Sequence, residues 1–305
     1  MTWSEDVARL CPWEGEGPAR VSLDDMLIAY DEAIEGGRDL HVLTGPEEIA
    51  RAYLVHRLVR ELGYPVERLE MERSYVAGRR SKNTRARVDL ILAREDGTPF
   101  YFVEAKAPEE FEASKHEIET QLFSLAALHE SATGHRVPYL VYWTVDTTGG
   151  KLGDQVIVID HDAYRTYREW QDAGEPSVAN VLSDGYGVPR RVPYVRGSDR
   201  DLTSSFEMKE IDAFARNLHD VLWGGGATGD TEVFTGLVNL ILAKIQDEYD
   251  TEEGKEYGFQ VRMRGDTAEN GGELFERINR LYRRALSQQL GKKGDLSDQQ
   301  VVNRE

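Results

Sequence analysis

Apolar residues recur along this chain with two different spacings, and the interleaving of the two predicts an α/β order followed by a purely helical stretch. Short apolar or alternating runs at residues 64–75, 88–93, 100–103, 138–145 and 155–160 predict β-strands. Longer stretches with apolar positions three or four apart predict helices at residues 21–34, 44–62, 108–129 and 164–170. In the first helix Leu23, Leu27, Tyr30 and Ile34 share a side, Ser22 is the expected cap, and Gly36-Gly37 is the stop. In the second, Thr44 is the expected cap, Pro46 suits the first turn, Glu47 and Glu48 favour the positive end of the dipole, and Gly63 ends it. Residues 174–205, with Pro176, Pro189, Pro193 and scattered Gly and Ser, read as a linker. Beyond it, residues 206–223 place Ile211, Phe214, Leu218 and Leu222 in phase and stop at Gly224-Gly225-Gly226. A helix capped by Asp230 or Thr231 and another over residues 273–290 follow, and the polar tail 291–305 is expected to fray. The expected division is an N-terminal helical extension (1–40), an α/β domain (41–173), the linker, and a helical domain (206–305).

Candidate chemistry concentrates on residues 85–106, RARVDLILAREDGTPFYFVEAK, which read as two strands joined by a turn at Asp96-Gly97. Residues two apart on a strand share a face, so Glu104 and Lys106 project together while Ala105 points away. Antiparallel pairing lets Asp89 reach the same edge. Two carboxylates and an ammonium suit a hard cation, since magnesium takes oxygen ligands and only one or two protein carboxylates. A bound metal would favour phosphodiester hydrolysis, with the lysine orienting or deprotonating the attacking water or stabilising the developing charge. By spacing alone, a surface salt bridge at an exposed strand end explains the three residues equally well.

The Asp–(x)n–Glu-x-Lys pattern resembles the PD-(D/E)xK nuclease superfamily. More specifically, Pro46-Glu47-Glu48, Gly63-Tyr64-Pro65, Arg87-Val88-Asp89 and Glu104-Ala105-Lys106-Ala107-Pro108 occur in that order. Over residues 44–145 the chain therefore resembles the N-terminal nuclease domain of type I restriction enzyme R subunits and their fused relatives. The resemblance implies a restriction-endonuclease-like α/β fold with a central mixed sheet. It implies Mg2+ or Mn2+ held by Asp89, Glu104 and the Ala105 carbonyl, with a helix glutamate completing the shell. Glu48 is the better-placed candidate, because it lies on the inward stripe of Ala52, Val55, Val59 and Leu62, although a plain dipole-favouring acid fits as well. The family's Gln-x-x-x-Tyr signature is matched by Gln121 but has Leu125 in the tyrosine's place, so Gln121 is either a support for the lysine, a DNA contact, or a polar edge of a packing stripe. Residues 206–261, with LHDVLWGGGATGDTEVFTGLVNLILAKIQDE and a later GFQ, resemble the helical domain that precedes the catalytic domain in type I-like N-6 adenine DNA methyltransferases. No glycine-rich cofactor loop follows a strand and no Asp/Asn-Pro-Pro-Tyr/Phe motif occurs, so methyl transfer is not assigned. The expectation is a piece of a longer fused restriction–modification protein, with a stand-alone remnant as the alternative.

Composition narrows this further. The formal net charge of −18 argues against an indiscriminate DNA binder. Between Arg68 and Arg87, however, seven bases (Arg68, Arg73, Arg79, Arg80, Lys82, Arg85 and Arg87) face two acids (Glu70 and Glu72). Arg79, Arg80, Lys82, Arg85 and Arg87 are the candidate DNA contacts beside Asp89; a solvated loop paired with neighbouring acids is the plainer account. The lone Cys11 excludes an internal disulfide, and neither a leader pattern nor a membrane-length apolar run occurs, which predicts a cytoplasmic protein. The seven histidines show no ligand spacing that suits zinc, and no Gly-x-x-x-x-Gly-Lys-Ser/Thr loop is present for ATP. The expected activity is metal-dependent DNA cleavage in a restriction or phage-defence system, with DNA and a methyltransferase or specificity portion as partners. The competing expectation is a non-cleaving DNA-binding or assembly module, and a nuclease confined to modified or single-stranded DNA is a third.

Overall fold

Five strands carry the first unit of the molecule: β4 (Leu69–Ala77), β5 (Thr84–Ala93), β6 (Pro99–Ala105), β7 (Tyr139–Asp146) and β8 (Gly153–Asp160). They hydrogen-bond in that order, all antiparallel except the parallel pair β6–β7, so the sheet is mixed. The computed structural model describes residues 2–37, 41–77, 84–147, 151–202, 230–265 and 267–302. It divides into two compact units, Met1–Arg190 and Arg191–Glu305.

Every residue of β6 is buried because both faces of the sheet are covered, which is why its sequence reads as an apolar run and not as an alternation. Tyr101, Val103, Val141 and Trp143 pack with α2 (Pro46–His56). Phe102, Leu140 and Tyr142 pack against Leu122, Leu125 and Ala126 around α3 (Ser124–Thr133). That is the period of two expected of a strand between layers. A parallel neighbour needs a crossover, and the helical segment ending in α3 supplies it between β6 and β7.

Several expected elements change at their ends. The second helix starts at Pro46 with Gly45, not Thr44, as its cap, and α2 continues through one π-helical turn, Arg57–Glu61. The third is shorter at its front: residues 108–114 are turns, a 3-10 turn Lys115–Glu117 and a π turn Glu119–Phe123 follow, and α3 ends on the left-handed Gly134. The strand expected from residue 64 begins only at Leu69, because Pro65 leads into a 3-10 turn. The helix at residues 164–170 is α4 (Tyr167–Asp172).

The helix expected at residues 21–34 is absent. That stretch is a hairpin, β1 (Ala19–Ser22) and β2 (Leu27–Tyr30), joined by a third strand, β3 (His41–Val42). The Ser22 hydroxyl accepts the Asp25 N–H at 3.2 Å and donates to the Asp25 carboxylate at 2.8 Å. A helix cap and a turn both use a serine that takes the N–H three residues on, so the local signal is the same for either. Inward pairing of Ala19 with Tyr30 and Val21 with Ile28 decides for the hairpin. Nor is the N-terminus peripheral. The first helix, α1 (Trp3–Leu10), carries Val7 into the same core as Cys11, Ile28, Tyr53 and Leu54.

Residues 174–190 lack helix and strand, as a linker would, yet Ala179 and Leu182 are buried in the same core as the apolar residues of α2 and β7. Buried phenols need polar partners, and this segment provides them: Tyr64 reaches the carbonyls of Ser183 and Gly185, and Tyr101 donates to the Ser183 hydroxyl.

In the second unit, α5 (Asp230–Asp250) and α6 (Gly271–Gln288) pack through Ala243, Ile278, Leu281 and Tyr282. Between them lies a two-stranded hairpin, β9 (Met263–Arg264) with β10 (Thr267–Ala268), and an all-helical domain is not confirmed. Asp247 fixes the Gly258-Phe259-Gln260 segment by accepting both the Gly258 and the Phe259 N–H at 2.8 Å. The tail, expected to fray, is held at Val301, whose N–H donates to Asn279 and whose carbonyl accepts from Asn239. The helix expected at 206–223 and its Gly224–Gly226 stop lie outside the described residues.

Candidate active site

The ladder between β5 and β6 runs as far as Leu90 opposite Val103 and then ends. At the next position the strands part, and Asp89 and Glu104 stand where they do. Asp89 closes the gap by accepting the Ala105 N–H on Oδ2 at 2.9 Å. Its other oxygen, Oδ1, takes Nη2 of Arg51 at 3.0 Å. Beyond the end of β6, Lys106 is pinned by β7: its N–H donates to the Trp143 carbonyl at 2.9 Å and its carbonyl accepts the Thr144 hydroxyl at 2.7 Å. The ammonium is thereby directed to Glu104 Oε1 at 2.8 Å and Glu117 Oε2 at 2.9 Å, with Glu47 at 4.0 Å.

These charges lie deep: Glu104 is 2 % exposed, Lys106 6 %, Arg51 7 % and Asp89 9 %. Ionic side chains are rarely so buried unless paired, and a surface salt bridge at a strand end would not be. Pairing here is incomplete. Five carboxylates (Glu47, Glu72, Asp89, Glu104 and Glu117) share the buried Arg51 and Lys106. Glu104 Oε2 is buried without a hydrogen-bond partner among the described residues. Burial, then the charge of Asp89, push the Glu104 carboxyl well above the ordinary range against the pull of Lys106. Glu47 is raised for the same two reasons in the same order. Burial works against the Lys106 ammonium, but Glu104, Glu117 and Glu47 outweigh it and hold the proton more firmly than usual.

Gln121 donates to Glu117 Oε2 at 2.9 Å, so it reaches the lysine through Glu117. Glu48 accepts the Thr44 N–H at 2.9 Å and acts at the helix start, whereas Glu47 faces Lys106 and Arg51. Arg87 is half-exposed and pairs with Glu72 at 3.3 Å. Arg85 is placed only as a residue of β5, opposite Val76, and Arg79, Arg80 and Lys82 lie outside the described residues. The residues not anticipated are Arg51, Glu47, Glu72 and Glu117. The Glu47–Arg51 pair was visible as an i,i+4 spacing; the others meet only through the fold.

Among the described residues, no cluster of three or more His, Cys, Asp and Glu side chains could hold a metal ion by itself. The groups that could hold a cation together are mixed: Asp89, the Glu104 oxygen without a partner among the described residues, and the Ala105 carbonyl, which points to the same side of β6 as the N–H that Asp89 accepts. Two carboxylates with water completing the shell is what magnesium prefers.

Residues 46–133 match the family model of the type I restriction enzyme R protein N terminus. The matched stretch begins with the first residue of α2 and ends with the last of α3, and so contains all the carboxylates and both cations just described. No curated protein matches the chain. The R-protein match does not extend to residues 206–261 and lends no support to their resemblance to methyltransferases. In the second unit, a groove between Asp247, Asp250, Arg277, Arg280 and Arg284 holds charges of both signs and none of the predicted site residues. No helix among the described residues is long and apolar enough to cross a membrane.

Proposed function

We propose that the Met1–Arg190 unit is a divalent-metal-dependent DNA endonuclease of a restriction system. The observation that carries this reading is the pair Asp89 and Glu104 at the parting of β5 and β6, with a buried carboxylate oxygen left without a partner beside a fixed ammonium. The match to restriction enzyme R proteins over the same residues supports it.

Asp89, Glu104 and the Ala105 carbonyl would hold Mg2+ or Mn2+, which when bound polarises a phosphodiester and acidifies its coordinated water. Lys106 orients the attacking water and stabilises the charge that develops on the phosphate, as an ammonium held between Glu104 and Glu117. Gln121 positions Lys106 by fixing Glu117. On α2, Glu47 and not Glu48 takes the part of the supporting helix carboxylate, because Glu48 turns back to Thr44. Arg87, with Arg79, Arg80, Lys82 and Arg85 of the adjoining basic stretch, meets the phosphate backbone. Sequence recognition and methylation belong to a companion portion or subunit of the same defence system against foreign DNA.

The test is cleavage of unmethylated plasmid in Mg2+ or Mn2+ by the full chain and by Asp89→Ala and Lys106→Ala variants. Cutting by the parent and by neither variant is expected. Cleavage that persists in both variants would sink the assignment. A parent chain that neither cuts nor binds Mn2+ would leave a non-cleaving DNA-binding module as the better account.

A further inference from the structure

Arg51 is the buried cation that the proposed chemistry does not use. It rises from α2 between Ala50 and Ala52, both fully buried. Its Nη2 lies 3.0 Å from Asp89 Oδ1 and 3.3 Å from Glu47 Oε1, and its Nη1 lies 3.6 Å from Glu72 Oε1. Each Asp89 oxygen already accepts one hydrogen bond, Oδ2 from the Ala105 N–H and Oδ1 from Arg51, so a cation at this carboxylate shares it with the guanidinium. A guanidinium and a divalent ion at one carboxylate repel each other strongly in so buried a pocket.

Glu72 is the second observation. It is a non-glycine residue with φ of 55° in the middle of β4, at the position opposite Asp89 that the ladder skips between Met71–Leu90 and Arg73–Val88. A left-handed backbone in a residue with a side chain persists only where its surroundings hold it there, and such residues gather at functional sites. Here the distortion turns the Glu72 carboxylate to Nη1 of Arg51, the side of the guanidinium away from Asp89, and to Arg87.

We propose that Arg51 is the internal counter-ion of the metal-free site, competing with the divalent cation for Asp89 and retained in the pocket by Glu72 once that cation binds. This rests on the reading of Asp89 and Glu104 as metal ligands. In the absence of metal, Arg51 neutralises carboxylates that would otherwise face one another; in its presence, the same charge sets how tightly the ion is held. Arg51 is thus a positioning residue that tunes metal affinity. It has no contact with the reacting phosphate to make.

Calorimetric titration of the full chain with Mn2+ alone tests this. Asp89→Asn is expected to abolish binding. Arg51→Met is expected to bind Mn2+ about tenfold more tightly, the scale of removing one nearby like charge. Its metal-free unfolding temperature should fall, and Mn2+ should restore it. Glu72→Gln should weaken binding several-fold while Arg51 is present, and the double variant should resemble Arg51→Met. Unchanged or weaker binding by Arg51→Met, against Asp89-dependent binding by the parent, overturns the counter-ion role and leaves the nuclease reading standing. A parent chain that does not bind Mn2+ overturns both. Should Arg51→Met fail to fold, Glu72→Gln decides alone, since an unchanged affinity there removes the retaining carboxylate from the scheme.

Discussion

Glu104 sits in the least comfortable electrostatic position of any carboxylate described in the first unit, and a folded protein keeps such a group only at a cost. Its Oε2 has no partner, and burial followed by the charge of Asp89 raises its proton affinity. Glu104→Gln keeps the shape and the oxygen facing Lys106 while deleting the buried charge. The expected result in chelator is a gain of about 1 kcal/mol, or roughly 2–4 °C in unfolding temperature for a unit of this size, with metal binding and cleavage lost. The sign with pH follows from linkage. A carboxyl whose folded value lies above its unfolded 4.5 contributes stability that is intact below 4.5 and is lost as pH rises through the folded value. The advantage of the variant should therefore grow as pH rises from 4.5. A variant less stable than the parent at neutral pH would mark Glu104 as a structural member of its ion pair with Lys106. Asp89, Glu104 and Lys106 were legible in the sequence because strand alternation and one hairpin bring them together within 18 residues. Glu117, Glu72 and Arg51 were not, since neither strand period nor helix period links them to the hairpin. The inward stripe of α2 does not by itself separate Glu48 from Glu47, because an acid at the third helical position can also turn back to a free N–H, as Glu48 does to Thr44.

Between elements, the contact with the clearest pH signature joins β4 to α3. Tyr75 and His129 meet through the phenol oxygen and Nδ1 at 2.8 Å, and His129 Nε2 is buried with no partner among the described residues. Burial, then the charge of Arg73, lower this imidazole from 6.5 to about 4. Its folded value lies below its unfolded one, so the stabilisation is complete above pH 6.5 and is lost as pH falls toward 4. His56 and His161 are also lowered, so the parent alone does not isolate this contact. Urea unfolding of parent and His129→Gln across that window does: the variant should show a shallower loss of stability on acidification, and parallel curves would remove His129 as a cause. Element types were readable wherever burial on two faces or a helical stripe ran long enough, as for β6, β7 and α2. The β1–β2 hairpin is not legible locally because Ser22 signals a helix start and a tight turn alike, and only pairing across the turn tells them apart.

At the scale of the molecule, the boundaries of the unit differ from those of the stretch that carries the chemistry. Proline and glycine made residues 174–205 read as a linker, but Ala179 and Leu182 are core residues, and α1 contributes Val7 from the other end of the chain. Neither contribution shows a period that a local pattern could detect, because Ala179 and Leu182 sit in an irregular segment and α1, eight residues long, buries Val7 alone. The match to R proteins stops at residue 133, before β7. Yet β7 supplies the Trp143 carbonyl and the Thr144 hydroxyl that fix Lys106, and Asp154 on β8 anchors Arg57 below α2 at 3.0 Å. A fragment of residues 1–190 should therefore unfold cooperatively in urea and bind Mn2+ within about threefold of the full chain's affinity, a difference of less than 1 kcal/mol. A fragment of residues 46–133 lacks β7 and β8, leaves one edge of the buried β6 unpaired, and should neither fold cooperatively nor bind the ion. Circular dichroism with titration calorimetry on both fragments checks this. Cooperative folding of the shorter piece would mean that β7 and β8 only decorate a self-sufficient core. Loss of Mn2+ binding in the longer piece, if it remained folded, would mean that the second unit completes the site.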